Sequence, residues 1–165
     1  MTQTTSSTAK PGVSEIDTSS RCALSFLIVA SLLWLVTGGV LALLNLVQTY
    51  TPGFLADCFL FTHGRLDAMQ ETALVYGWAG NAGIAVALWL LSRLGGSALR
   101  GTNYLVIGAL FWNIGVKLGV YGIAFGDMTS FSLLQMPDYV QPLMLVAYAL
   151  MAVPGVLAWT GRRND

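Results

Sequence analysis

Residues 22–47, CALSFLIVASLLWLVTGGVLALLNLV, decide the fold class of this chain. The stretch has no charged side chain and, as a helix rising about 1.5 Å per residue, is long enough to cross a hydrocarbon core about 30 Å thick. Similar apolar stretches follow at about 72–91, 104–125 and 139–159. Backbone polar groups find no water in lipid, so each stretch must be a helix. The sequence therefore predicts an all-α membrane protein with one four-helix transmembrane domain over residues 21–165.

The overall composition agrees with a membrane protein. Of 165 residues, 55% are hydrophobic and only 10% are charged, with a formal net charge of zero and a mean hydropathy of +0.67. Soluble domains carry about 25% charged residues. Composition thus excludes a soluble globular domain, a disordered chain and a nucleic-acid binder with a basic face. Cys22 and Cys58 have no metal-site or haem-attachment spacing, and we expect them to be unpaired thiols.

The distribution of Lys and Arg predicts the orientation of the helices, because cytoplasmic segments carry an excess of these residues. The residues on the predicted cytoplasmic side are Lys10, Arg21, Arg93, Arg100, Arg162 and Arg163. The loop at 48–69 has only Arg65, and the loop at 126–138 has no basic residue. We therefore expect both termini in the cytoplasm. Residues 1–20, rich in Ser and Thr, are predicted to form a disordered cytoplasmic tail.

Glycines recur on one face of the second and third helices, which predicts close helix packing. The positions are Gly77, Gly80 and Gly83 in the second helix, and Gly108, Gly115, Gly119 and Gly122 in the third. Two interpretations stay open. The two helices pack against their neighbours inside this bundle, or the glycine face of the third helix docks a partner subunit.

Polar side chains inside the membrane are costly and therefore informative. Lys117 lies about two turns from the outer end of the third helix, and its stem can reach outward over several ångströms. Glu71 begins the second helix on the same side, so we predict a Lys117–Glu71 ion pair. The alternative is that Lys117 reaches the interface alone and Glu71 is solvated. Asn45, Asn81 and Asn113 are further intramembrane polar groups.

His63, the only histidine, is placed by the pattern in the first outer loop. One histidine cannot supply a bis-histidine haem site or a three-histidine copper site, so we expect a solvated side chain. The alternatives are a single axial ligand or a hydrogen bond to a partner. The sequence also has no phosphate-binding Gly loop, catalytic triad or metal-ligand motif, so it predicts no catalytic residue and no metal site.

The run GRLDAMQETA at 64–73, followed by YGWAGNA at 76–82, resembles the start of transmembrane helix two in subunit I of haem–copper oxidases. The likeness is closest to the cbb(3)-type, or C-family, cytochrome c oxidases, which have the same spacing from Gly-Arg-Leu to Gly-Asn-Ala. Weaker likenesses lie at Leu33-Trp34, Phe111-Trp112-Asn113 and Met136-Pro137. The resemblance implies the first four helices of a subunit that normally has about twelve.

The chain departs from that family at the position that matters most for chemistry. The family has an axial histidine ligand of the low-spin haem where this chain has Gln70, and an amide is a poor iron ligand beside imidazole. The remaining haem and copper ligands lie on later helices of the family. Arg65 and Asn81 match family positions that lie near haem and its propionates or pack helix two. The resemblance therefore implies ancestry without oxygen reduction.

Three functions follow from these patterns. The preferred one is a truncated, non-catalytic subunit I-like protein, with no cofactor of its own, that serves a respiratory haem–copper oxidase complex as an accessory or structural subunit. Its partners would be other oxidase subunits and lipid, in the bacterial inner (cytoplasmic) membrane. The second is a small haem b electron-transfer protein ligated by His63 with Met69 or Met136. The third, suggested by Lys117, is a transporter or sensor.

Overall fold

The computed structural model describes residues 13–161, and this part of the chain is helical with no strand. We name its four long helices in chain order. They are α1 (Val13–Tyr50), α2 (His63–Gly95), α3 (Thr102–Phe125) and α4 (Gln141–Thr160). All four are long and apolar enough to cross a membrane. The predicted four-helix membrane architecture is confirmed at this level.

Helix α1 begins at Val13, well before the predicted start at residue 22. Residues 13–20 of the predicted disordered tail are therefore helical, and residues 1–12 lie outside the described part of the chain. The pair Pro11-Gly12 precedes the helix, and no Pro or Gly interrupts the chain again until Gly38. Hydropathy marks only the lipid-spanning part of a helix, so it missed the polar first turns.

Helix α2 likewise begins at His63 rather than at residue 72, and it is 33 residues long. The prediction that His63 lies in a loop is wrong, because it is the first helical residue. The early turns look polar in sequence, but they bury Leu66, Met69 and Thr72 at helical spacing. This buried stripe carries α2 beyond its apolar segment, towards the end of the bundle that holds the α1–α2 and α3–α4 connections. We name this end the outer end, after the predicted orientation.

The middle of α2 departs from α-helical geometry. Residues Ala73–Gly80 form a π-helical stretch between the α-helical segments His63–Thr72 and Asn81–Gly95. A π-helix bonds each residue to the fifth one along; it is rare and occurs mostly as a short interruption of an α-helix. Here two carbonyl oxygens of the stretch accept side-chain hydrogen bonds, from Trp112 and from Asn81.

Helix α3 lies at the centre of the packing and meets α4 along most of its length. A methyl group added at Gly108 would lie 2.9 Å from the carbonyl oxygen of Ala147, and one at Gly115 would lie 2.5 Å from the sulfur of Met144. On the α2 side of the bundle, a methyl group at Gly77 would lie 2.5 Å from the Trp34 ring of α1. These glycines allow close approach of neighbouring helices.

The other four glycines of the predicted packing set also meet residues of this chain, with one exception. The nearest neighbours are Trp112 for Gly80, Met136 for Gly119 and Pro137 for Gly122, whereas nothing lies within 4 Å of a methyl group at Gly83. The glycine face of α3 therefore packs inside the bundle in this structure. Of the two interpretations of that face, the structure shows packing against α4 and the outer loop, with no glycine of α3 left open for a partner.

Candidate functional site

An asparagine pair joins α2 to α3 in the interior of the bundle. The amide nitrogen of Asn113 donates to Asn81 Oδ1 at 3.1 Å, and the amide nitrogen of Asn81 donates to Asn113 Oδ1 at 3.2 Å. Trp34 Nε1 of α1 donates to the same Asn113 oxygen at 2.8 Å. Three helices therefore meet at one side-chain amide.

The same two amides also bond to their own helices. Asn81 Nδ2 donates to the carbonyl oxygen of Gly77 at 2.6 Å, and Asn113 Nδ2 donates to that of Ala109 at 2.8 Å. Asn81 is completely buried. Every polar side-chain atom of the pair thus has a partner, as a low-dielectric interior requires. The sequence analysis identified both asparagines as intramembrane polar groups, but it did not predict that they pair. The signal for the pairing was their similar depth on adjacent antiparallel helices.

At the outer end of the bundle, Arg65 joins α2 to a loop and to α3 through hydrogen bonds. Its guanidinium donates to the carbonyl oxygen of Ala124 at 3.1 Å, and also to that of Phe59, which lies in a short 3₁₀ turn before α2. Gly126, which ends α3 with φ +94°, lies directly against the guanidinium. The arginine that the resemblance places near haem propionates therefore ties a loop and α3 to α2 here.

Gln70, at the family's haem-ligand position, is half-buried and directed towards α1. Asn45 Nδ2 of α1 lies 3.5 Å from Gln70 Oε1 and 3.4 Å from Asp67 Oδ1. Inward of Gln70 the two helices approach closely, and a methyl group at Gly38 would lie 2.5 Å from the side chain of Leu74. A porphyrin ring does not fit between helices at this distance, and the amide is a poor iron ligand.

His63 lies on the surface, beside a cavity of about 480 Å³ that Gln48 also lines. The Gln48 side chain is buried, and its Nε2 donates to the carbonyl oxygen of Phe61 at 2.7 Å. Met69 and Met136, the other proposed haem ligands, are both buried in the core. Met69 is six residues further along α2, so it lies on a different helical face and roughly 9 Å away along the axis.

The predicted Lys117–Glu71 ion pair is not formed within residues 13–161. Glu71 instead accepts a hydrogen bond from Gln135 of the outer connection between α3 and α4. Taking the Asn81–Asn113 level as reference, Lys117 lies roughly one turn outward and Glu71 roughly two to three turns outward. The two side chains therefore differ in depth. The prediction placed both side chains on the outer side without a common reference level, which the Asn81–Asn113 pair provides.

The outer connection folds back over α2 near Glu71. The Tyr76 hydroxyl donates to the carbonyl oxygen of Leu133 at 2.7 Å, and Thr129 donates to that of Leu134. Further along, desolvation and the carboxylate of Asp127 raise the pKa of Tyr139. The connection is thus held by its own polar contacts.

Lys117 faces a groove of about 610 Å³ between α1 and α3. Its side chain is exposed and has no hydrogen bond or ion pair with any other residue of the described range. The groove is lined by Phe26, Val29, Ala30, Leu33, Trp34, Thr37, Leu110, Asn113, Ile114, Lys117, Val120 and Tyr121. The asparagine pair therefore forms part of the groove wall, and Lys117 supplies its charge.

Comparison with protein-family models, curated proteins and solved structures finds no match to this chain. The resemblance to subunit I of haem–copper oxidases therefore rests on the sequence motifs alone. Among residues 13–161 there is also no group of three or more His, Cys, Asp or Glu side chains that could hold a metal ion.

Proposed function

We propose that this chain is a non-catalytic accessory or structural subunit of a respiratory membrane complex of the haem–copper oxidase type, in the bacterial inner membrane. One observation carries the proposal. The side chains at the positions that the motif resemblance links to haem are used in contacts between helices and loops. Arg65 bonds two carbonyl oxygens, Gln70 meets α1, and Asn81 pairs with Asn113.

The surface of α1 is suited to assembly with other membrane subunits. Its apolar side chains Leu32, Val36, Val40 and Leu43 recur at helical spacing, and all are more than half exposed. In the membrane this stripe faces either lipid or another transmembrane helix. A subunit that stabilises a larger complex needs such a free helix face in addition to a well-bonded interior.

The proposal is tested by asking whether the chain co-migrates with an oxidase complex. An affinity-tagged chain, extracted from its native membrane in mild detergent, is resolved on a native gel stained for oxidase activity. We expect it to co-migrate with the active band, and we expect deletion of its gene to lower the amount of that complex. Migration at its own mass, together with unchanged oxidase after deletion, would contradict the proposal.

A matched pair of variants locates the contact surface. Val36→Trp enlarges the exposed stripe of α1, whereas Val86→Trp makes the same change at an exposed position of α2. If α1 meets the partner, only the first variant loses co-migration, and both variants fold.

A visible spectrum distinguishes the haem b alternative. The purified chain, expressed with a supply of haem, is reduced with dithionite and compared with its oxidised form. We expect no b-type α band, because Gln70 and its surroundings do not fit a haem. A band that disappears in His63→Ala would replace the accessory-subunit proposal with the electron-transfer function.

A further inference from the structure

We propose that the groove between α1 and α3 binds a single-chain amphiphile with a carboxylate head, of the fatty-acid type. The carboxylate would pair with the ammonium of Lys117, and the alkyl chain would lie along the apolar wall of the groove. This inference is independent of the proposed function, because a stand-alone protein and a subunit would both present the groove.

The ammonium of Lys117 has no anionic partner among the residues that the structure describes, which leaves it free to pair with an anionic ligand. Lys117 lies eight residues inside the end of α3, where an unpaired ammonium is costly. The acidic residues described at the outer end lie in the connections or in the early turns of α2. They are Asp57, Asp67, Glu71, Asp127 and Asp138. Since a second copy of the chain would bring the same residues at the same depth, it would not supply the partner either.

The groove is itself amphipathic along its length. Because Trp34 bonds to Asn113, these residues mark one depth on the parallel helices α1 and α3. Thr37, Lys117 and Tyr121 therefore lie in the outer half of the groove, whereas Phe26 and Val29 lie towards the inner end. A polar head outward and an apolar chain inward match this gradient.

The size of the groove suits one alkyl chain. From the Trp34–Asn113 level the groove extends about 12 Å inward to Phe26 of α1 and about 12 Å outward to Tyr121 of α3, at about 1.5 Å per residue. Its volume of about 610 Å³ is in the usual range for ligand sites.

Trp34 provides a built-in reporter, since it lines the groove. The purified protein in detergent is titrated with a fatty acid brominated on its chain, which quenches nearby tryptophan fluorescence. The matched probe is the brominated alcohol of the same length, which has no charge. Trp34→Phe measures the quenching that comes from the other tryptophans.

We expect saturable quenching by the acid, with the alcohol binding at least about tenfold more weakly. Lys117→Met should weaken binding of the acid to a similar extent, whereas Lys117→Arg keeps the charge and the binding. Ala30→Phe, which fills the groove, should also weaken it. Val36→Phe, on the exposed face of α1 outside the groove, should not.

Three outcomes would overturn the proposal. Equal affinity for the acid and the alcohol would show that Lys117 makes no head-group contact. Tighter quenching by a brominated anionic phospholipid would make the ligand a two-chain lipid. Photo-crosslinking from Ile114 to another protein in the native membrane would make the groove a subunit contact. If Lys117→Met fails to fold, Ala30→Phe and the acid–alcohol comparison still decide.

Discussion

The hydrogen bonds among Asn81, Asn113 and Trp34 should contribute measurably to the free energy of unfolding. Asn113→Ala leaves Trp34 Nε1 and Asn81 Oδ1 without their partners, and Asn81 is completely buried. We expect the free energy of unfolding to fall by about 1–2 kcal/mol, as for interhelical hydrogen bonds in membranes. Titration of the protein with SDS, followed by circular dichroism, measures the change.

Two further variants make this prediction sharper. Asn103→Ala changes an exposed asparagine at the start of α3 and should leave stability within about 0.5 kcal/mol of the parent. The double variant Asn81→Ala/Asn113→Ala should be less destabilised than the sum of the single variants, because they share one contact. Full additivity would show that the two amides act separately.

Gly126 and Gly96 separate backbone strain from the contact with Arg65. Both glycines have positive φ, +94° and +59°, but only Gly126 has the guanidinium against it. Gly96→Ala should cost about 1 kcal/mol from strain alone. Gly126→Ala should cost more, since its methyl group would displace Arg65, and the outer loop should then be cleaved faster by protease. Equal effects in both assays would remove Arg65 from the explanation.

The sequence predicted where the polar side chains lie better than it predicted which side chains they contact. Lys117, Glu71, Asn81 and Asn113 stand out in the sequence because charged and amide side chains are rare in membrane helices. Which of them meet depends on the alignment and rotation of α2 against α3. These are properties of the packed bundle, so the predicted ion pair was wrong.

Among the helices, α3 and α4 offer a direct test of close packing. Gly108→Ala brings a methyl group to 2.9 Å from the Ala147 carbonyl oxygen, and backbone cannot move aside cheaply. We expect a loss of about 1–3 kcal/mol in unfolding free energy. Gly83→Ala, in α2, meets open space and should be neutral or slightly stabilising. A neutral Gly108→Ala would mean that α3 and α4 are less closely packed.

The number and identity of the helices were predictable from hydropathy, but their ends and internal geometry were not. Lipid-spanning segments are apolar throughout, which made all four visible. The outer turns of α2 are polar on one side and buried on the other, so hydropathy missed their stripe of Leu66 and Met69. The π-helical geometry of Ala73–Gly80 could not be predicted from its apolar sequence, because it depends on contacts with other helices such as the hydrogen bond from Trp112.

At the scale of the whole molecule, the candidate groove was only partly visible in the sequence. Lys117 drew attention as an intramembrane charge, and the sequence predicted a partner within the chain. The groove arises because α1 and α3 leave a gap beside Trp34, and no single helix shows that gap. The motif resemblance directed the prediction to α2, whereas the groove that Lys117 lines is formed by α1 and α3.

The orientation of the molecule can be tested with its own two cysteines. Cys22 lies at the same end of the bundle as Arg21, Arg93 and Arg100, while Cys58 lies in the connection before α2. The excess of basic residues at the first end predicts that it is cytoplasmic. A membrane-impermeant maleimide added to intact spheroplasts should label Cys22→Ser, which retains Cys58, and should leave Cys58→Ser unlabelled. A permeant maleimide serves as the control that both thiols can react. The reverse pattern would place the termini outside and, with them, the acid-rich connections in the cytoplasm.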